Sequence, residues 1–200
     1  MQGMNSVCVY CGSATGHDPR FAAAADELGT ALARASVTLV YGGGSLGLMG
    51  RIARKVLEEG GQVVGVIPRF LHEREVMLTE VTELIITEDM HERKRLMFER
   101  ADGFVALPGG VGTLEEVVEM MTWSQLGRHE KPIVLANVAD FWAPLNALIG
   151  HMLDAGFIRP GWDVSYDVAD TIAEVVPILI ERHAQLAEQR EPQEATLRRL

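Results

Sequence analysis

Short β-branched runs alternating with longer amphipathic stretches, two glycine-rich turns set between them, and an apolar content of 48% in 200 residues predict an α/β fold. Alternation at this spacing implies right-handed crossovers. The expected architecture is therefore Rossmann-like and doubly wound, a mainly parallel sheet of about seven strands with helices on both faces. The whole chain, 1–200, reads as a single domain with its core at about 6–185 and a charged tail over 188–200 expected to fray.

Along the chain, β-branched runs place strands at Val7–Tyr10, Thr38–Tyr41, Gln62–Ile67, Glu83–Thr87, Phe104–Leu107 and Ile133–Ala136, with a weaker one near Val164–Val168. Apolar residues at helical spacing place helices at Arg20–Ala35, Leu48–Glu59, Met90–Arg100, Thr113–Gln125, Phe141–Asp154 and Asp170–Gln185. The stretch from Pro68 to Thr82 carries charge without a period and reads as a longer loop beside the site.

Charge narrows the function. With 28 acidic against 18 basic residues and a formal net charge of -10, the chain is a poor match for a nucleic-acid polymer, whose binding needs clustered cations. A single nucleotide needs only local amides and one or two arginines. No apolar run reaches the roughly 18 residues of a membrane span, and Met1 to Ser6 lead into the first strand without a basic leader, so a cytoplasmic location is expected. Cys8 and Cys11 form a C-x-x-C, but Cys8 lies within a strand rather than opening a helix, which favours small buried hydrophobes over a redox pair or metal site. His17, His72, His91, His129, His151 and His183 show no paired ligand spacing, so no metal is expected.

In a parallel sheet ligands bind beyond the carboxyl ends of the strands, where both glycine turns fall. The first, Gly42-Gly43-Gly44-Ser45-Leu46-Gly47, matches G-x-G-x-x-G. The next strand, however, ends Ile67-Pro68-Arg69 without the acid that a dinucleotide ribose requires. Either an anion site at Gly43, Gly44 and Ser45 or plain strand-to-helix packing fits that turn. The second, Pro108-Gly109-Gly110-Val111-Gly112-Thr113, leaves amides uncovered before a helix in which Thr113 is expected to be the cap and Glu115 and Glu116 to load the first turn. On that helix Glu115, Glu119 and Thr122 share the polar side, whereas Glu116 sits at the border of the apolar stripe and faces a crevice. Met120, Met121 and Trp123 extend the apolar side, either as core or as a subunit interface. Arg93, on the preceding helix, shares a face with Met90, Leu96 and Met97, and an inward guanidinium needs an anionic partner or a route for its head to water.

These two segments, Pro108 to Glu116 and Met90-His91-Glu92-Arg93-Lys94, closely resemble the paired signature of the Lonely Guy (LOG) family. The likeness extends over Cys11-Gly12-Ser13, Gly42 to Gly50 and Thr122 to Gly127. Family members are phosphoribohydrolases of cytokinin riboside 5'-monophosphates, and many relatives carry a lysine decarboxylase label. The resemblance implies a nucleotide-binding Rossmann-like domain, cleavage of the N-glycosidic bond of an N6-modified adenosine monophosphate, no cofactor, and a homodimer or higher oligomer whose partner borders the site. It also implies catalytic roles for Arg93 and Glu116, and nucleotide contacts from Glu75, Lys94, Gly109, Gly110, Val111, Gly112, Thr113, Glu115 and Thr122. A carboxylate suits the positive charge that develops on a ribose as its C1'–N9 bond breaks. Decarboxylation through pyridoxal needs a Schiff-base lysine, and Lys55, Lys94 and Lys131 have no suitable setting. A non-catalytic module that binds a nucleotide or a phosphorylated cofactor remains the alternative.

Overall fold

In the computed structural model, residues 3–72, 77–159 and 161–197 are described. They form one seven-stranded sheet in the order β4-β3-β2-β1-β5-β6-β7, with every pair parallel. The strands are β1 (Ser6–Tyr10), β2 (Thr38–Tyr41), β3 (Val63–Pro68), β4 (Glu83–Thr87), β5 (Gly103–Ala106), β6 (Ile133–Ala136) and β7 (Asp167–Ala169). The helices are α1 (Pro19–Arg34), α2 (Gly47–Glu58), α3 (Arg69–His72), α4 (Met90–Glu99), α5 (Val111–Gln125), α6 (Ala143–Asp154) and α7 (Ile172–Leu197). Strand order reverses between β1 and β5, so the loops after these two strands part there and open a crevice.

Alternation along the strands builds two cores. Val7, Val9, Leu39, Tyr41 and Val105 face α1, α2 and α7 through Leu28, Ile52 and Val175. Cys8, Tyr10, Val40, Val66 and Phe104 face the other way, onto Met97 of α4 and Val117 and Met120 of α5. Thus α4 and α5 lie on the same face of the sheet. Helix α4 starts where the capping Asp89 accepts from the Glu92 amide at 2.8 Å, while the Glu92 side chain accepts from the Glu88 amide, one residue before the cap, at 2.8 Å; together these bonds pin its first turn.

Several boundaries differ from the sequence expectation. Helix α5 begins at Val111, capped by Gly110 with no side-chain hydrogen bond, so Thr113 is a buried first-turn residue and not the cap. Glu115 and Glu116 consequently lie beyond the first turn. Helix α6 starts at Ala143 and not at Phe141, because a 3-10 turn at Val138–Asp140 with positive φ at Ala139 and Asp140 intervenes. Helix α7 runs on to Leu197 through the charged tail, whose Glu, Gln, Arg, Ala and Leu are strong helix formers. The loop from Pro68 contains α3, and beyond it Met77 makes an isolated bridge to Gly44.

Candidate active site

The start of α5 is an open helix terminus. Its first helical hydrogen bond runs from the Leu114 amide to the Gly110 carbonyl at 3.1 Å, so the amides of Val111, Gly112 and Thr113 precede the ladder. Among the described residues no side chain caps them, and a Cβ placed on Gly110 or Gly112 would meet nothing within 4 Å. Uncapped amides and the positive end of the helix dipole together favour an anion here. Gly109, by contrast, is packed: a side chain there would overlap Thr113 Oγ1, and the Gly12 amide donates to the Pro108 carbonyl at 3.1 Å. A cavity of about 220 Å³ lies in the crevice, lined by Gly12, Ser13, Phe21, Gly109, Gly110 and Phe141.

The first glycine turn is built differently. The Gly12 carbonyl accepts from the Leu48 and Met49 amides at 3.0 and 3.3 Å, closing the start of α2. Gly47 has φ +60 and its missing side chain is replaced by the backbone of Ser13 and Ala14. Gly43 is likewise left-handed, at φ +79, and its carbonyl accepts from the Leu78 amide at 3.3 Å. Gly44 is bridged to Met77 and Ser45 is buried. The backbone at Gly43 and Gly44 is therefore engaged by the segment after α3.

Between the turns, α4 and α5 bring two ionisable groups face to face. Arg93 Nη2 lies 3.5 Å from Glu116 Oε1, with the side chains only 10% and 12% exposed. The guanidinium also approaches Met90 Sδ through Nη1 at 3.7 Å, while its Nε has no hydrogen-bond partner among the described residues. Burial pushes the Glu116 carboxyl above the ordinary carboxylate range; the Arg93 charge opposes that rise without cancelling it, and Glu115 adds to it. Burial, and secondly the Glu116 charge, also push the Cys11 thiol far up, and the thiols of both Cys8 and Cys11 are free and buried. They behave as small hydrophobes.

Lys94 reaches across the same helix pair. Its ammonium lies 2.8 Å from Glu115 Oε1 and 3.0 Å from Glu119 Oε1. Desolvation alone would lower its pKa, yet the two hydrogen bonds outweigh it and hold the amine above its usual value. Thr122 is exposed and returns its hydroxyl to the Val118 carbonyl at 2.8 Å. Glu75 lies outside the described residues. Glu119 was legible as a polar-face residue, but its part in gripping Lys94 was missed; its spacing of four from Glu115 was the available signal. Among the described residues no group of three His, Cys, Asp or Glu side chains is placed to hold a metal ion.

Fold and site define a Rossmann-like α/β protein with an anion-ready helix start beside a buried guanidinium–carboxylate pair. The family model described as "Possible lysine decarboxylase" matches residues 49–179. A cytokinin riboside 5'-monophosphate phosphoribohydrolase of Arabidopsis thaliana is 47% identical over 154 residues, which are 77% of this chain and 72% of that protein. The phosphoribohydrolase of Rhodococcoides fascians is 48% identical over 156 residues, 78% and 79% of the two chains. Among solved structures, the Moco carrier protein of Chlamydomonas reinhardtii matches with a TM-score of 0.69 at 24% identity, covering 91% of this chain and 99% of that one. That likeness speaks for the fold. The chain belongs to the possible lysine decarboxylase family, within which it groups with the LOG proteins.

Proposed function

We propose that this protein hydrolyses the N-glycosidic bond of N6-modified adenosine 5'-monophosphates, with AMP as a second substrate, to give the free base and ribose 5-phosphate. The observation that carries the proposal is the 3.5 Å approach of Arg93 to Glu116 on the face of the sheet that also carries the open start of α5. The names of the Arabidopsis and Rhodococcoides relatives supply the substrate class.

In this reading the amides of Val111 to Thr113 hold the 5'-phosphate. As the C1'–N9 bond breaks, its electron pair leaves with the purine and positive charge spreads over C1' and the ring oxygen. Glu116 stabilises that charge and takes one proton from the incoming water as its oxygen bonds to C1'; the departing base takes up one proton from solvent and Glu116 returns its own there, so that one water is divided between ribose and base. Its raised pKa makes it a stronger base than an exposed glutamate. Arg93 orients Glu116 and offers charge to the nucleotide. Lys94, Glu115 and Thr122 form the rim, and Glu75 is kept as a substrate contact.

The lysines argue against decarboxylation. Lys55 pairs with Glu59 at 2.8 Å on α2, Lys94 is gripped by two carboxylates, and Lys131 donates to the Phe98 carbonyl at 2.7 Å below the sheet's far edge. A chromatographic assay with isopentenyladenosine monophosphate tests the reading. Release of free base is expected, and Glu116→Gln is expected to lower kcat by about 10²–10³-fold while nucleotide affinity holds. Tight binding without base release would instead mark a non-catalytic nucleotide or cofactor module.

A second copy of the chain is proposed to pack on the apolar stripe of α5 and α6. Met120 and Met121 are core residues, 1% and 3% exposed; Met120 has no part in that face, and Met121 contributes only to the floor of its groove. Val111, Leu114 and Val118 on α5 and Leu148 and Met152 on α6 remain exposed and line a groove of about 440 Å³ that also takes in Glu115 and Thr122. Leu148→Glu is expected to shift sedimentation toward the monomer. Free buried thiols at Cys8 and Cys11 agree with a reducing, cytoplasmic location, and no helix among the described residues is long and apolar enough to cross a membrane.

A further inference from the structure

Gly42 opens the first turn directly after β2 and holds no left-handed φ, unlike Gly43 and Gly47. Its backbone path would accept an alanine. What forbids a side chain is the neighbour: a Cβ there would overlap Arg93 Nη2, pass 3.4 Å from Arg93 Cζ and stand 3.2 Å from Met49 Sδ. All three of these atoms belong to side-chain ends rather than to backbone. The glycine therefore serves the guanidinium, not the course of the chain.

Arg93 has few other anchors. Its Nε has no partner among the described residues, Nη1 meets only the soft Sδ of Met90 at 3.7 Å, and Nη2 makes the ion pair with Glu116 at 3.5 Å. A buried guanidinium so weakly hydrogen-bonded is held in place by shape. We propose that Gly42 is a positioning residue for Arg93: its bare Cα forms the floor of the slot that keeps the guanidinium against Glu116. The inference rests on the hydrolase reading for its kinetic consequence, and on geometry alone for the placement of Arg93.

Gly42→Ala is the test. The variant is expected to fold, with a melting temperature within a few degrees of the parent, because only flexible side-chain ends must yield. Displacing a catalytic group by an ångström costs about 10²-fold, so kcat is expected to fall by that order while KM changes little. A crystal structure of the variant is expected to show Arg93 Nη2 beyond about 4 Å from Glu116, past ion-pair range. Adding Met49→Ala is expected to restore nothing.

Wild-type kcat in Gly42→Ala, an Arg93–Glu116 contact kept within ion-pair range, or rescue by Met49→Ala would each overturn the proposal. If Gly42→Ala fails to fold, the double variant with Arg93→Lys, whose head is smaller, decides. Recovery of folding supports the slot, and continued failure overturns it. If the wild-type protein releases no base from any nucleotide, the hydrolase reading falls, and the crystallographic separation still judges Gly42.

Discussion

The two glycine turns occupy equivalent places at the carboxyl edge of one sheet, yet they do opposite things. At the start of α2 the Gly12 carbonyl fills the amides and the Ser13–Ala14 backbone fills the space over Gly47. At the start of α5 nothing among the described residues covers Gly110 or Gly112, and the first amides stand open. Glycine is needed in the first case because neighbouring backbone leaves no volume, and in the second the proposed phosphate site accounts for it, since a ligand there must come close. A glycine-rich motif alone does not distinguish these cases.

Substitutions sharpen the contrast, beginning with the strongest. Gly47→Ala combines a left-handed φ with overlap against backbone that cannot move away, so a loss of about 3 kcal/mol or more in stability is expected by denaturant titration. Gly112→Ala is expected to act in the opposite sense. Within a helix, where the methyl has open space, it should raise stability by about 0.5–1 kcal/mol. The same methyl crowds the anion, and AMP affinity measured by calorimetry is expected to drop by about tenfold, the equivalent of 1.4 kcal/mol. A variant with unchanged AMP affinity would show that the open turn is not the phosphate site.

The smallest effect lies in the pH profile. Burial raises the Glu116 pKa above the ordinary glutamate value of 4.5, and the proposed reaction needs the carboxylate, so kcat/KM is expected to rise with pH through a point above that value. Because the Arg93 charge lowers this pKa, Arg93→Ala should move that acid limb to higher pH, and Glu116→Gln should remove it. The sign for stability is the reverse. The folded state binds this proton more tightly than the unfolded chain does, so the contribution of Glu116 favours acid pH and is lost as pH rises through the folded pKa.

The sheet was legible because β-branched runs and helical periods are local signals. Thr38–Tyr41, Glu83–Thr87 and Ile133–Ala136 fall where the sequence reading put them. The start of α5 was placed too late because Gly110 and Val111 carry no capping side chain, and the signal at Thr113 was the stronger one on paper. The pairing of Arg93 with Glu116 could be suspected from faces and motifs. Gly43 and Gly44 meet a segment some thirty residues away in sequence, through Leu78 and Met77, and no local pattern reports such contacts. The same holds for Lys94, whose two partners lie on another helix.

Helix α5 carries both the open amides at its first turn and, a little more than one turn later, Glu116. At about 1.5 Å of rise per residue the rod fixes a span of roughly 6–7 Å between the two, whatever the surrounding loops do. In the proposed reaction it works as a ruler with one end on the phosphate. On that proposal a nucleoside that lacks the group has no zero mark from which its sugar can be measured, and selectivity for the monophosphate follows from the stiffness of a single helix.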